Sequence, residues 1–189
     1  MNRPYAKLQA MGWTFKWHGG IATVLGAVLL VLAALTWLPG SLPLSGLRWL
    51  VPVIFVLLFP IFMSALVRGI VTRADRHSLW LAVRCLSGRV QLTLGALALA
   101  GVAMTIISFA AERNLQSAEV KDGRYFAFDT TPYARGTVEI TQSRYEAVLE
   151  SDQRIMFAIP GVLFVGAATS VLASGEIRRA DRGSVPTRP

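Results

Sequence analysis

Between residues 112 and 154 the chain carries eight carboxylates: Glu112, Glu119, Asp122, Asp129, Glu139, Glu146, Glu150 and Asp152. Two of them brought together would form an acid–base pair or a site for a divalent cation. Six basic residues are interleaved with them. That mixture is also the pattern of a solvated surface, which is the simpler account. The same stretch holds Tyr125, Tyr133, Arg135 and Tyr145, a candidate recognition surface. Tyrosines also build small cores, and that is their more common use. Elsewhere stand His18, His77 and Cys85. Two histidines without cysteine or carboxylate spacing do not make a metal set. A single cysteine makes no disulfide, and Cys85 reads as a small apolar filler. There is no phosphate loop, H-E-x-x-H or G-x-S-x-G. No catalytic group, metal or cofactor is therefore expected.

The segments that must position these residues are apolar. Of 189 residues 53% are hydrophobic and 16% charged, with a mean hydropathy of +0.50. Soluble domains carry roughly 25% charged residues. Four runs approach the roughly 20 residues that a membrane helix needs: 21–38, 49–67, 90–111 and 155–174. None contains a charge, so no intramembrane proton or ion path is signalled. Their polar side chains are mainly hydroxyls, among them Thr23, Ser64, Thr93, Thr105 and Thr169. Pro52, Pro60 and Pro160 are expected to bend these helices without ending them. The first run lacks a small-x-small cleavage site before "WLPGSLPLSG" and is read as a retained helix. Small residues at four-residue spacing, Ala96 and Ala100, then Gly166, Ser170 and Ser174, are candidate helix-packing positions, within the chain or against a second copy.

Charge orients the spans. The net charge is +8. The excess lies in the tail 1–20 (Arg3, Lys7, Lys16), the loop 68–89 (Arg68, Arg73, Arg76, Arg84, Arg89) and the tail 175–189 (Arg178, Arg179, Arg182, Arg188). The loop 39–48 has Arg48 alone, and the stretch 112–154 is net acidic. Basic loops face the cytoplasm, so both termini are expected inside and 112–154 outside. The aromatic-plus-basic groove of a nucleic-acid binder is missing, and no nucleic acid is expected. Trp13, Trp17, Trp37 and Trp49 flank the first two runs at interfacial depth. Trp80 to Leu86 either lies on the membrane surface or begins the third helix early. The Arg, Ala, Leu and Gly bias suits a GC-rich bacterial genome, hence a bacterial cytoplasmic membrane.

The outer stretch is patterned. Arg124 to Asp129 and Thr137 to Thr141 alternate, with turn residues Pro132 and Gly136 between them. A β-hairpin is expected, with Phe126, Phe128, Val138 and Ile140 as its apolar face. Ser143 is a candidate helix cap with Glu146 reaching back. The helix it begins should cover the hairpin and run on into the fourth span, because a lone hairpin is marginal in water. The order Gly123-x-Tyr125, Val138-Glu139-Ile140-Thr141 and Tyr145 resembles a strand-turn-strand-helix insert of small uncharacterised multi-pass bacterial membrane proteins. The resemblance spans residues 123–145. It implies topology and no activity.

The expectation is an all-α membrane protein of four transmembrane helices, both ends inside, with an extracytoplasmic hairpin-and-helix module at 112–154. Its expected role is non-enzymatic: an accessory, sensor or immunity-type protein acting through that module on a protein partner. Beyond lipid, a homo-oligomer is the other candidate assembly. The alternative is a small oligomeric transporter or channel for a neutral or apolar solute. The third is a membrane enzyme using the outer carboxylates.

Overall fold

The computed structural model describes residues 3–38, 49–72, 76–111 and 114–183. The loop 39–48, residues 73–75 and 112–113, and the tail from 184 lie outside the described residues. The chain is mostly helical. Helices α1 (Arg3–Leu35), α2 (Leu50–Val71), α3 (Arg76–Cys85), α4 (Gly88–Ala111) and α5 (Gln142–Gly183) enclose, between α4 and α5, strands β1 (Leu115–Lys121), β2 (Arg124–Asp129) and β3 (Gly136–Ile140). Four of the helices (α1, α2, α4 and α5) are long and apolar enough to cross a membrane, compatible with a multi-pass membrane protein.

The helices outrun the apolar runs. The expected tail 1–20 is helical from Arg3, with Pro4 in the first turn, where its missing N–H is no loss. At the other end α5 continues for 42 residues through Pro160 to Gly183. The segment Trp80 to Leu86 is not an early start of the third span. Trp80 to Cys85 belong to a separate helix, α3, and Leu86 follows its end. The corner to α4 is fixed by Gln91, whose Nε2 donates to the carbonyls of Arg84 (2.9 Å) and Leu86 (2.7 Å) at the end of α3. Those carbonyls lack intrahelical partners, so one side chain satisfies two of them.

Helix α5 is the centre. Each of the other four helices packs against it, and so do β1 and β2. Phe157, Phe164 and Val165 on α5 are fully buried among Leu29, Leu30, Ile54 and Leu94. Close approach of α1 to α5 requires glycine: a Cβ on Gly26 would sit 2.9 Å from Val165 Cγ2 and 3.0 Å from the Gly161 carbonyl. The sheet caps one end of this bundle. The opposite end holds Lys16, Arg68, Arg84, Arg89 and Arg178, on five different helices.

The sheet has three antiparallel strands in the order β1-β2-β3, one more than expected. Asp122 and Gly123 connect the extra strand with φ of +50° and +75°. That is the backbone of a two-residue type I′ hairpin, which Asp-Gly favours. The expected apolar face is also corrected. Tyr125 pairs with Ile140 and Ala127 with Val138, whereas Phe126 pairs with Glu139 and Phe128 with Thr137. Directly paired residues share a face. The phenylalanines therefore lie on the side away from Val138 and Ile140. The inner face, with buried Leu115 and Ala127, packs on Val148 of α5.

Candidate functional site

The sheet is held to the bundle by named contacts at the start of α5. Thr141, not Ser143, caps the helix: its Oγ1 accepts from the Arg144 N–H at 3.4 Å. Glu146 bonds Gln142 Nε2 at 3.1 Å instead of reaching back to the cap. Tyr145 meets Tyr125 of β2 with ring centroids 5.0 Å apart. At a bulge in β1 between Gln116 and Glu119 the Ser117 N–H donates to Asp152 Oδ2 on α5 at 2.9 Å.

Two residues further along α5, Arg154 ties the sheet end to α1. It is only 7% exposed. Its Nε donates to Thr36 Oγ1 at 3.0 Å and its Nη2 to the Thr36 carbonyl at 3.4 Å. Its guanidinium lies 5.1 Å from the Trp37 ring centroid. A cation at the carboxyl end of α1 also opposes the negative pole of that helix. Sequence reasoning counted Arg154 as a loop charge. The signal that it was more was its place directly before an uncharged run.

The candidate recognition residues separate into two kinds. Tyr125 and Tyr145 are half-buried partners in the sheet–helix seam. Tyr133 and Arg135 stand exposed on the loop between β2 and β3. Tyr133 has φ of +71°, a left-handed conformation uncommon for a bulky residue. The outer sheet face adds Phe126, half-buried, and Phe128, 43% exposed. Their paired neighbours are Gln116, Glu119, Thr137 and Glu139.

Five of the seven described carboxylates of this region engage separate partners. Glu119 pairs with Lys121 at 2.6 Å and Glu139 with Arg124 at 3.5 Å. Asp129 accepts from the Thr131 hydroxyl (2.5 Å) and N–H (2.8 Å), which hold its carboxyl below the ordinary carboxylate range, the hydroxyl contributing most. Asp122 lies in the hairpin turn. No three His, Cys, Asp or Glu residues come together to hold a metal among the described residues.

In the helices, Ala96, Ala100 and Gly166 are exposed, Ser170 is half-buried and Ser174 is buried. The tight contacts instead involve Gly19, Gly26, Gly101 and Gly161. The hydroxyls of Thr23, Thr93, Thr105 and Thr169 donate to the carbonyls four residues back, and Ser64 to the one three back. Cys85 is a free, exposed thiol on α3, and His77 is exposed on the same helix. His18 lies on α1 with Nε2 3.2 Å from the Ile61 carbonyl of α2.

No protein-family model, curated protein or solved structure matches the chain.

Proposed function

We propose that the protein is a non-enzymatic, multi-pass protein of a bacterial cytoplasmic membrane that presents its three-stranded sheet outside the cytoplasm to a partner protein. It would act as an accessory subunit, a sensor or an immunity-type factor. The observation that carries this reading is the continuity of α5, one helix from the base of the sheet to the basic end. A loop on a flexible tether would not need such a stalk. Here a partner that presses on the sheet pushes on the central helix of the bundle. The contact surface is the outer sheet face, Phe126 and Phe128 rimmed by polar side chains, with Tyr133 and Arg135 beside it. Aromatic anchors and arginine inside a polar rim are what protein interfaces use. The engagement of the hydroxyls of Thr23, Ser64, Thr93, Thr105 and Thr169 with their own helices supports this reading over a hydroxyl-lined transport path.

A photoreactive benzophenone amino acid placed at Phe128 or Tyr133 tests the proposal in native membranes. The expected result is one adduct of the same mass from both positions, and none from exposed Glu146 on α5. Adducts from Glu146 equal to those from the sheet, or none from either sheet position, would remove the sheet as the docking surface.

A further inference from the structure

We propose that the crevice between α1 and α2 at the basic end binds one net-anionic glycerophospholipid, with its phosphodiester against Arg68. This rests on different observations from the sheet reading. Helices α1 and α2 each pack on α5, but not closely on one another. Between them lies a cavity of about 580 Å³. Its walls are apolar where Trp13, Trp17, Ile21 and Pro60 line it, a path suited to an acyl chain. Its polar side chains are Thr14, His18, Ser64 and Arg68. Ser64 Oγ lies 3.3 Å from His18 Nε2, and the Ile61 carbonyl holds both, so this shelf is fixed in place.

The cation of this shelf is Arg68. Arg68 Nη1 is buried and has no hydrogen-bond partner among the described residues. The Arg68 guanidinium lies 4.5 Å from the centroid of Phe15, and that of Arg178 lies 5.3 Å from the same ring. An anion in the crevice would answer Arg68, which lines it and has an unpartnered Nη1. Lys16 adds a third cation beside Trp13 and Trp17, where it lines the adjoining cavity. No carboxylate is among the described residues that line the crevice. A choline or ethanolamine headgroup would bring its ammonium against these cations with no carboxylate among the described lining residues to offset it. A net-anionic headgroup fits them, and guanidinium is the side chain best matched to phosphate. Basic pockets between membrane helices are known to take such lipids. The indoles of Trp13 and Trp17, in edge contact at 5.4 Å, belong at the depth where phosphodiesters lie.

The two indoles also supply the readout. The full chain in neutral-detergent mixed micelles is titrated with phosphatidylglycerol or phosphatidylcholine brominated on the acyl chain, and tryptophan quenching is followed. The expected result is saturation by phosphatidylglycerol at a mole fraction about fivefold or more below that for phosphatidylcholine, the scale of one arginine near a lipid surface. Arg68→Gln should bring the two curves together, and Arg68→Lys should restore part of the gap. A Trp13→Phe/Trp17→Phe variant should lose the headgroup-dependent quenching, because Trp37, Trp49 and Trp80 do not line the crevice. Equal quenching by the two lipids in the unmodified protein would overturn the proposal. So would a preference that survives Arg68→Gln or the double tryptophan variant. Millimolar inorganic phosphate that erased the preference would show a site for a free anion and overturn the lipid assignment. If Arg68→Gln fails to fold, the unmodified protein and the tryptophan variant carry the test.

Discussion

Arg154 joins helices that the chain separates by 118 residues, and it does so from inside the protein. A buried guanidinium that loses its acceptors, or acceptors that lose it, forfeits charge-assisted bonds worth about 1.5–3 kcal/mol each. Arg154→Ala should therefore lower stability by about 2–3 kcal/mol, read as a fall in the thermal midpoint in detergent. Arg154→Lys should recover part of the loss, since it keeps the charge but not the fork that reaches both Thr36 oxygens. Asp129 poses a smaller question with a definite sign. Its carboxyl titrates below the unfolded value because Thr131 donates twice to the ionised form, hydroxyl first. A depressed carboxyl stabilises the folded sheet above the unfolded pKa, and that contribution fades as pH falls through the lower folded pKa. Thr131→Ala should raise the Asp129 pKa toward its ordinary range, observed by carboxyl carbon NMR of the labelled chain. An unchanged titration would show that the turn bonds do not set it.

Among elements, the α1–α5 crossing is the most exacting. Gly26 faces the Gly161 backbone, which cannot step aside as a side-chain tip can. Gly26→Ala should cost about 1–3 kcal/mol by overpacking. Gly95→Ala, on α4 with nothing within 4 Å of the added Cβ, should be neutral or gain up to about 1 kcal/mol of helix propensity. The pair separates contact from propensity in one thermal-shift experiment. The same crossing marks the limit of the sequence. Long uncharged runs reveal helices because backbone groups in lipid must satisfy one another internally. They do not reveal which face meets which helix, since every face is apolar. Four-residue spacing therefore singles out Ala96 and Gly166, whereas Gly26 and Gly161 make the close crossing. In the sheet, the Asp122–Gly123 signal for a third strand was present in the chain, but Leu115 to Lys121 alternates too weakly to be noticed beside it. The two faces of β2 were misread for a related reason. Phe126 and Phe128 outweigh Ala127 in apolar area, yet it is Ala127, 1% exposed, that lies with Tyr125 in the seam against α5.

For the whole molecule, the decisive asymmetry is electrostatic. One end carries the sheet, and the other gathers arginines from helices that alternate in direction through the bundle. The proposed orientation rests on that asymmetry, because Lys and Arg are enriched on the cytoplasmic side of membrane helices. Arg154 does not disturb the rule, because it is committed to Thr36 inside the protein rather than to a loop. The bundle offers its own probes. Cys85, exposed on α3, reports the basic end, and in a Cys85→Ser background Tyr133→Cys reports the tip of the sheet loop. A membrane-impermeant maleimide added to intact cells or spheroplasts should modify the engineered cysteine at 133 and leave Cys85 untouched. Inside-out vesicles should give the reverse. Labelling of both thiols from one side would mean that the sheet and the arginines share a compartment. The four long helices could not then all cross the bilayer, and the sheet would lose the position from which it is proposed to meet its partner.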